Sequence, residues 1–230
     1  MDKVILYHGS TKVIEKPVLG IGNPKNDYGL GFYCTENLEL AKEWASTERS
    51  DVFANQYEID LEGLSILHLN HQPYHILNWL SILLKNRTFV ISQGLPFEAM
   101  QYLSTYFLPD YEQNDIMIGY RADDSYFSFA NAFLNNTISL EQFGTAMRLG
   151  KLGEQVVLKS EKAFSRLVFM ESIPVDSNLY YSKRLARDRQ ARENFRKMKS
   201  TTSAADAIYM IDILRQQWTN DDPRLQPLVP

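Results

Sequence analysis

The chain has 230 residues, 44% of them hydrophobic and 23% charged, which is enough to bury one sizeable core and makes one domain with an appendage the expected plan. A single cysteine, Cys34, excludes an internal disulfide framework and a multi-cysteine zinc site, and no run of roughly 18 apolar residues is present to cross a membrane. The net charge of −4 is uneven: Lys183 to Lys199 holds eight basic residues against two acidic ones, a local +6, and leaves −10 on the rest.

In chain order, Val4 to Tyr7 reads as a short strand and Phe32 to Cys34 as another, with Asn23-Pro24-Lys25-Asn26-Asp27 and two glycines in the loop between them. Leu38, Leu40, Ala41, Trp44 and Ala45 give one apolar face to a helix over Leu38 to Ser46. Gln56 to Leu61 and Ser65 to Leu69 read as strands around a turn at Glu62-Gly63, followed by helices over Tyr74 to Asn86 and Pro96 to Phe107. Asp115 to Gly119 suits a buried strand, with Tyr120-Arg121-Ala122-Asp123-Asp124 at its carboxyl end, where ligand groups often collect. Helices are expected over Tyr126 to Asn135 and Ser139 to Leu149, the second opened by a Ser139-Leu-Glu-Gln142 capping box. Gln155 to Lys159 is a strand, Ser160 to Phe164 a short helix or turn, and Leu167 to Glu171 a last strand. From residue 176 the chain reads as a basic helical extension to a domain spanning 1–175, with a helix over Ala204 to Trp218 and a proline-bearing tail expected to fray. The start Met1-Asp2-Lys3-Val4 lacks a charged-then-apolar secretory pattern, so a cytoplasmic location is expected.

Two motifs carry chemistry: Leu6-Tyr7-His8-Gly9-Ser10, and Tyr28-Gly29-Leu30-Gly31-Phe32-Tyr33-Cys34-Thr35 leading into a helix. A strand ending in His-Gly-Ser, followed by a glycine-hinged loop into Phe-Tyr-x-Thr, resembles the nicotinamide-binding half of ADP-ribosyltransferases of the diphtheria-toxin and poly-ADP-ribose-polymerase type. The resemblance covers about Val4 to Phe169 and implies an α+β fold, a split, mostly antiparallel sheet surrounded by helices, with NAD as substrate and no metal. Cleaving the nicotinamide bond needs orientation and electrostatic support for an oxocarbenium-like ribose more than a strong nucleophile. By the resemblance, His8 holds a ribose hydroxyl, Gly9 lends backbone groups to the nicotinamide amide, Tyr33 stacks on its ring, and Ser10 and Gly31 complete the cofactor site. Tyr28 precedes the glycines and is the weaker stacking candidate.

The third catalytic residue opens a strand, and Gly153-Glu154-Gln155-Val156-Val157-Leu158 offers two choices that strand alternation sends to opposite faces. Electrostatics alone favours the carboxylate of Glu154. The run Gln155 to Ala163 is similar to an uncharacterised bacterial and phage branch linked to toxin–antitoxin systems, in which a glutamine precedes a β-branched strand, and this ranks Gln155 first. The same branch carries an Ala-Asp-Asp step, which makes Arg121, Asp123 and Asp124 candidates for orienting the acceptor or a cofactor phosphate.

The implied activity is mono-ADP-ribosyl transfer from NAD to nucleic acid or protein, as a toxin of a toxin–antitoxin or phage-defence system with an antitoxin protein as a candidate partner. NAD hydrolysis and an inactive NAD-, ADP-ribose- or partner-binding module are the alternatives. Arg189, Arg192 and Arg196 are the candidate nucleic-acid contacts, although only Phe195 interrupts the basic run as a stacking group. Each residue also has a plainer explanation: His8 as a turn histidine, Tyr33 and Cys34 as core, Asp123-Asp124 as a helix cap, the basic run as a solvated helix. The spacing of His68, His71 and His75 lacks an acidic or thiol partner for a metal, and Pro73 breaks the helix it would need.

Overall fold

The computed structural model describes residues 3–47, 51–122, 124–200 and 206–228. In chain order they form β1 (Lys3–Ser10), β2 (Phe32–Cys34), α1 (Leu38–Ala45), β3 (Val52–Asp60), β4 (Ile66–His68), α2 (Ile76–Asn86), α3 (Leu95–Tyr106), β5 (Ile116–Tyr120), α4 (Asp124–Leu134), α5 (Leu140–Ala146), β6 (Glu154–Leu158), α6 (Glu161–Ser165), β7 (Leu167–Val175), α7 (Ser177–Ser200) and α8 (Met210–Arg215), with a 3₁₀ turn over Pro223–Leu228. The class is α+β.

The chain forms two compact units, one of Met1–His68, Tyr111–Arg121 and Leu152–Arg187, the other of Leu69–Asp110, Ala122–Lys151 and Asp188–Pro230. Residues 176–230 contribute to both. The first unit holds two sheets, β1-β3-β7 and β2-β6-β5-β4, in which only the β4–β5 pair is parallel. A single antiparallel bridge, Tyr7 to Thr35, ties β1 to the end of β2.

Side-chain alternation decides what lies between these sheets. Leu6 of β1, Ile59 of β3, Cys34 of β2, Ile116 of β5 and Val156 and Leu158 of β6 form one buried cluster, joined by the partly buried Val4 and Phe32. Removing each such aliphatic side chain from water is worth about 1.5–3 kcal/mol, so this cluster fixes the strand registers. Residues of the same parity as the cluster face inward with it, namely His8 on β1 and Glu154 on β6, whereas Tyr33 and Gln155 take the opposite face of the second sheet.

Helix α1 is capped by the Asn37 side chain, which accepts from Leu40 N at 3.1 Å, and it packs on β1 and β3. The contact needs glycine at position 9, where a Cβ would sit 2.2 Å from the Ala41 carbonyl oxygen and 2.7 Å from Ala45 N. Gly153, with φ of +64°, turns the chain into β6 against the side chain of Leu40.

The second unit is helical. Buried residues run along nearly all of α2, from Ile76 to Leu84, and Trp79 meets Phe143 of α5, which stacks on Phe133 of α4. The expected capping box of α5 forms, with Ser139 Oγ accepting from Gln142 N and Gln142 Oε1 accepting from Ser139 N. The C-terminal segment departs from expectation. Of the helix expected over Ala204 to Trp218, Ala204 and Ala205 lie outside the described residues and the helix among those described covers Met210–Arg215, while Trp218 and Leu225 are 2% and 0% exposed.

Candidate active site

His8 lies near the end of β1, its ring stacked on Phe32 at 4.3 Å. Its Nδ1 is 2.7 Å from the Tyr33 carbonyl oxygen, and since a carbonyl only accepts, the proton sits on Nδ1 and Nε2 presents a lone pair. Burial pushes the His8 pKa down, against the opposing effect of that backbone hydrogen bond, and so favours the neutral ring near neutral pH. Ser10, two residues on, accepts from Lys12 N at 3.1 Å and shapes the turn leaving β1.

Tyr33 secures the loop that precedes it. Its hydroxyl donates to the Gly29 carbonyl at 2.6 Å and accepts from Tyr28 N at 3.1 Å. Gly31, in that loop, is confined by packing, because a Cβ there would meet Val157 Cγ1 at 2.6 Å and the Leu158 carbonyl oxygen at 2.9 Å. Tyr28 is wholly buried and donates its hydroxyl to the Tyr120 carbonyl at 2.6 Å, while Lys159 Nζ donates to the Tyr28 carbonyl at 2.6 Å. A buried ring tied in this way has no free face for a ligand.

Gln155 is 5% exposed, and its Nε2 donates to Asp27 Oδ2 at 2.8 Å and to the Tyr120 carbonyl at 3.4 Å. Both partners are acceptors, so chemistry fixes the amide's orientation and leaves Oε1 as its acceptor. Three of the residues nominated from sequence therefore meet around one loop: His8 through the Tyr33 carbonyl, Tyr33 through Gly29 and Tyr28, and Gln155 through Asp27.

Glu154 stands apart from this network. Its side chain is 42% exposed, with Oε2 3.6 Å from His68 Nε2 on β4. It borders a cavity of about 670 Å³ whose other wall is residues 35–40 at the start of α1, including Glu36 and Glu39. Arg121, just past β5, lies with its guanidinium 4.2 Å from the centre of the Trp44 ring. Asp123, and the side chain of Asp124 at the start of α4, lie outside the described residues. Cys34 is fully buried, and desolvation drives its thiol pKa far above the ordinary value, so it is a core group and no nucleophile.

Along α7, much of the basic charge is already paired. Arg187 makes a two-pronged pair with Glu43 at 2.7 and 2.8 Å, Lys183 pairs with Glu39, Arg192 with Asp188 and Lys197 with Glu193. Arg189 and Arg196 are exposed, and among the described residues neither has an ion-pair partner.

Sequence reasoning missed Asp27, Lys159 and His68. Asp27 sits in a stretch of turn formers and Lys159 looked like an ordinary strand end. His68 carried a signal, its spacing to two other histidines, but that spacing suggested a metal. Among the described residues, no group of three or more His, Cys, Asp or Glu is arranged to hold a metal ion, and no helix is long and apolar enough to cross a membrane.

The chain belongs to the family described as "Protein of unknown function (DUF3990)", whose model matches residues 4–169. The match spans β1 to β7 up to Phe169 and so contains His8, Tyr33, Glu154 and Gln155. No curated protein and no solved structure matches the chain.

Proposed function

We propose that this protein is an NAD-dependent mono-ADP-ribosyltransferase with an ADP-ribosyltransferase fold, which moves one ADP-ribose from NAD to a macromolecule and releases nicotinamide. The observation that carries the reading is the setting of His8: its Nδ1 lies 2.7 Å from the Tyr33 carbonyl oxygen, so that in the neutral ring that burial favours Nε2 is left to accept a ribose hydroxyl proton. Gln155 Oε1, its amide oriented by Asp27, is an acceptor on the other face of β6 from the core cluster. A fixed acceptor on a neutral ring suits a polyhydroxylated substrate that becomes cationic at C1′. The cavity of about 670 Å³, within the range of about 300–1,000 Å³ usual for small-ligand sites, is lined by Glu154 and residues 35–40 and by none of His8, Tyr33 and Gln155, so it supports a ligand site only on the Glu154 side. The resemblance of the two N-terminal motifs supports the same reading, and the similarity of the run Gln155 to Ala163 to a branch linked to toxin–antitoxin systems supports a toxin role in such a system or in phage defence.

A second reading is favoured by one observation. The Gln155 amide nitrogen is spent on Asp27 at 5% exposure, which suits a module that keeps the fold and binds NAD or ADP-ribose without turning it over. The deciding experiment incubates the full chain with adenylate-labelled NAD and total cell extract, and follows nicotinamide and macromolecular label. The proposal expects both, with His8→Ala lowering each by about 10²-fold. Nuclease-sensitive label identifies a nucleic-acid acceptor and protease-sensitive label a protein one. Free nicotinamide without macromolecular label makes the protein a glycohydrolase, and NAD binding without nicotinamide release makes it a binding module.

A further inference from the structure

Between α2 and α3 the chain runs uncharged from Thr88 to Phe97, and its first half, Thr88-Phe89-Val90-Ile91-Ser92, is rich in the aromatic and β-branched residues that favour strands. Arg87 leaves α2 in an extended conformation, with φ −95° and ψ 150°. Exposure then alternates as it does along a strand resting on a surface: Thr88, Val90 and Ser92 are exposed, Phe89 and Ile91 half-buried. Phe89 anchors the segment, its ring 5.0 Å from that of Phe127 on α4, while Val90 is 95% exposed. Among the described residues, the N–H and C=O groups from Thr88 to Gln93 make no hydrogen bond to other backbone.

An extended apolar segment with an open backbone is a template for pairing with another strand. Elsewhere this chain blunts such an edge: β7, at the end of the order β1-β3-β7, carries Pro174 and a bulge at Met170, which has no partner in the register with β3. Thr88 to Ser92 has no proline, no bulge and no charge. We infer that this segment pairs antiparallel with the same segment of a second copy of the chain, about a two-fold axis at Val90. The segment is complementary to itself. With Val90 opposite Val90, Phe89 falls opposite Ile91 and Thr88 opposite Ser92, which sets an aromatic against a β-branched side chain and a hydroxyl against a hydroxyl, pairs that stabilise neighbouring strands. The half-buried Phe89 and Ile91 stay on the face turned to the body, and a two-fold contact of this kind closes on a dimer and does not propagate.

Cysteine substitution in the full chain reads both the contact and its register. Directly opposite residues of an antiparallel pair have Cα atoms about 4.5–5.5 Å apart, within the span of a disulfide, whereas the two Thr88 residues of this dimer lie about 14 Å apart. Val90→Cys is therefore expected to give a disulfide-linked dimer under mild oxidation, Thr88→Cys alone to give none, and a mixture of Thr88→Cys and Ser92→Cys chains to cross-link. The native Cys34 is buried and does not interfere. Light scattering of the unsubstituted chain over a concentration series is expected to show twice the mass of one chain. Val90→Lys, which opposes like charges at a side chain that is 95% exposed in the single chain, is expected to weaken association about tenfold or more with an unchanged circular dichroism spectrum. The mass of one chain throughout the series overturns the inference and leaves the segment to a strand of another protein. So does a dimer that Val90→Lys leaves intact, or cross-linking of Thr88→Cys as readily as of Val90→Cys.

Discussion

At the scale of single residues, position 9 illustrates how a motif residue answers to packing before it answers to a ligand. A Cβ at Gly9 would strike the backbone of α1 at the Ala41 carbonyl and at Ala45 N, and backbone cannot swing aside as a side chain does. Gly9→Ala is therefore expected to destabilise the protein by about 1–3 kcal/mol or more, read as a lower urea midpoint. His8 makes a prediction about pH. Burial holds its pKa below the ordinary 6.5, so the unfolded chain binds the proton more readily than the folded one, and stability falls as the pH drops below 6.5 toward the folded-state value. Buried His75 acts with the same sign, its ring also desolvated. Carboxylates such as Glu39 and Asp115, held below ordinary values of 4.5 and 3.8, begin to lose their stabilising effect only at lower pH. Chemical denaturation at pH 7 and pH 5 should show a loss of stability on acidification that His8→Gln reduces. An unchanged pH dependence in that variant would mean that the imidazole titrates as it does in the unfolded chain.

At the scale of elements, the clearest dependence is that of α1 on the first half of α7. The Glu43 side chain is 5% exposed and receives both prongs of the Arg187 guanidinium, while Tyr180 donates to Glu39 at 2.8 Å. Removing one partner of a buried ion pair leaves the other charge desolvated, which typically costs about 3–5 kcal/mol. Arg187→Ala should lower stability by that amount, and Arg187→Lys by less, since it keeps the charge and loses the fork. Equilibrium unfolding of the two variants checks the order. This pair also marks where the sequence stops being legible. Strands and helices were readable because alternation and the 3.6-residue period are local, and the α5 capping box spans only four residues. Glu43 and Arg187 are 144 residues apart, and Gln155 and Asp27 are 128 apart, so no local pattern announces either pair. Asp27 looked like a turn residue for the same reason. The ambiguity between Glu154 and Gln155 was visible as parity, but which face was inward depended on the register of β6 between β2 and β5.

At the scale of the whole molecule, the question is what the basic run does for a chain whose net charge is −4. Its composition suggested a patch of eight cations, yet four of them, Lys183, Arg187, Arg192 and Lys197, lie in ion pairs with Glu39, Glu43, Asp188 and Glu193. Arg184 turns toward the Ser46 carbonyl at 3.5 Å. Of the four cations without an ion-pair partner among the described residues, Arg184 is half-buried, which leaves Arg189, Arg196 and Lys199 exposed. Phosphate contacts release about 0.9 counterion each from duplex DNA, so three contacts give a log–log salt slope of about −2.7, against about −7 for eight. Raising salt from 50 to 200 mM should then weaken binding of a labelled duplex about 40-fold, rather than about 10⁴-fold. Reversing charge at Arg189 and Arg196 should flatten the slope by about 2, whereas Arg192→Ala should leave it nearly unchanged, because that guanidinium already serves Asp188. A slope near −7, or one that Arg192→Ala reduces by about 1, would mean that the intrahelical pairs open on binding and that the whole run acts as a nucleic-acid surface.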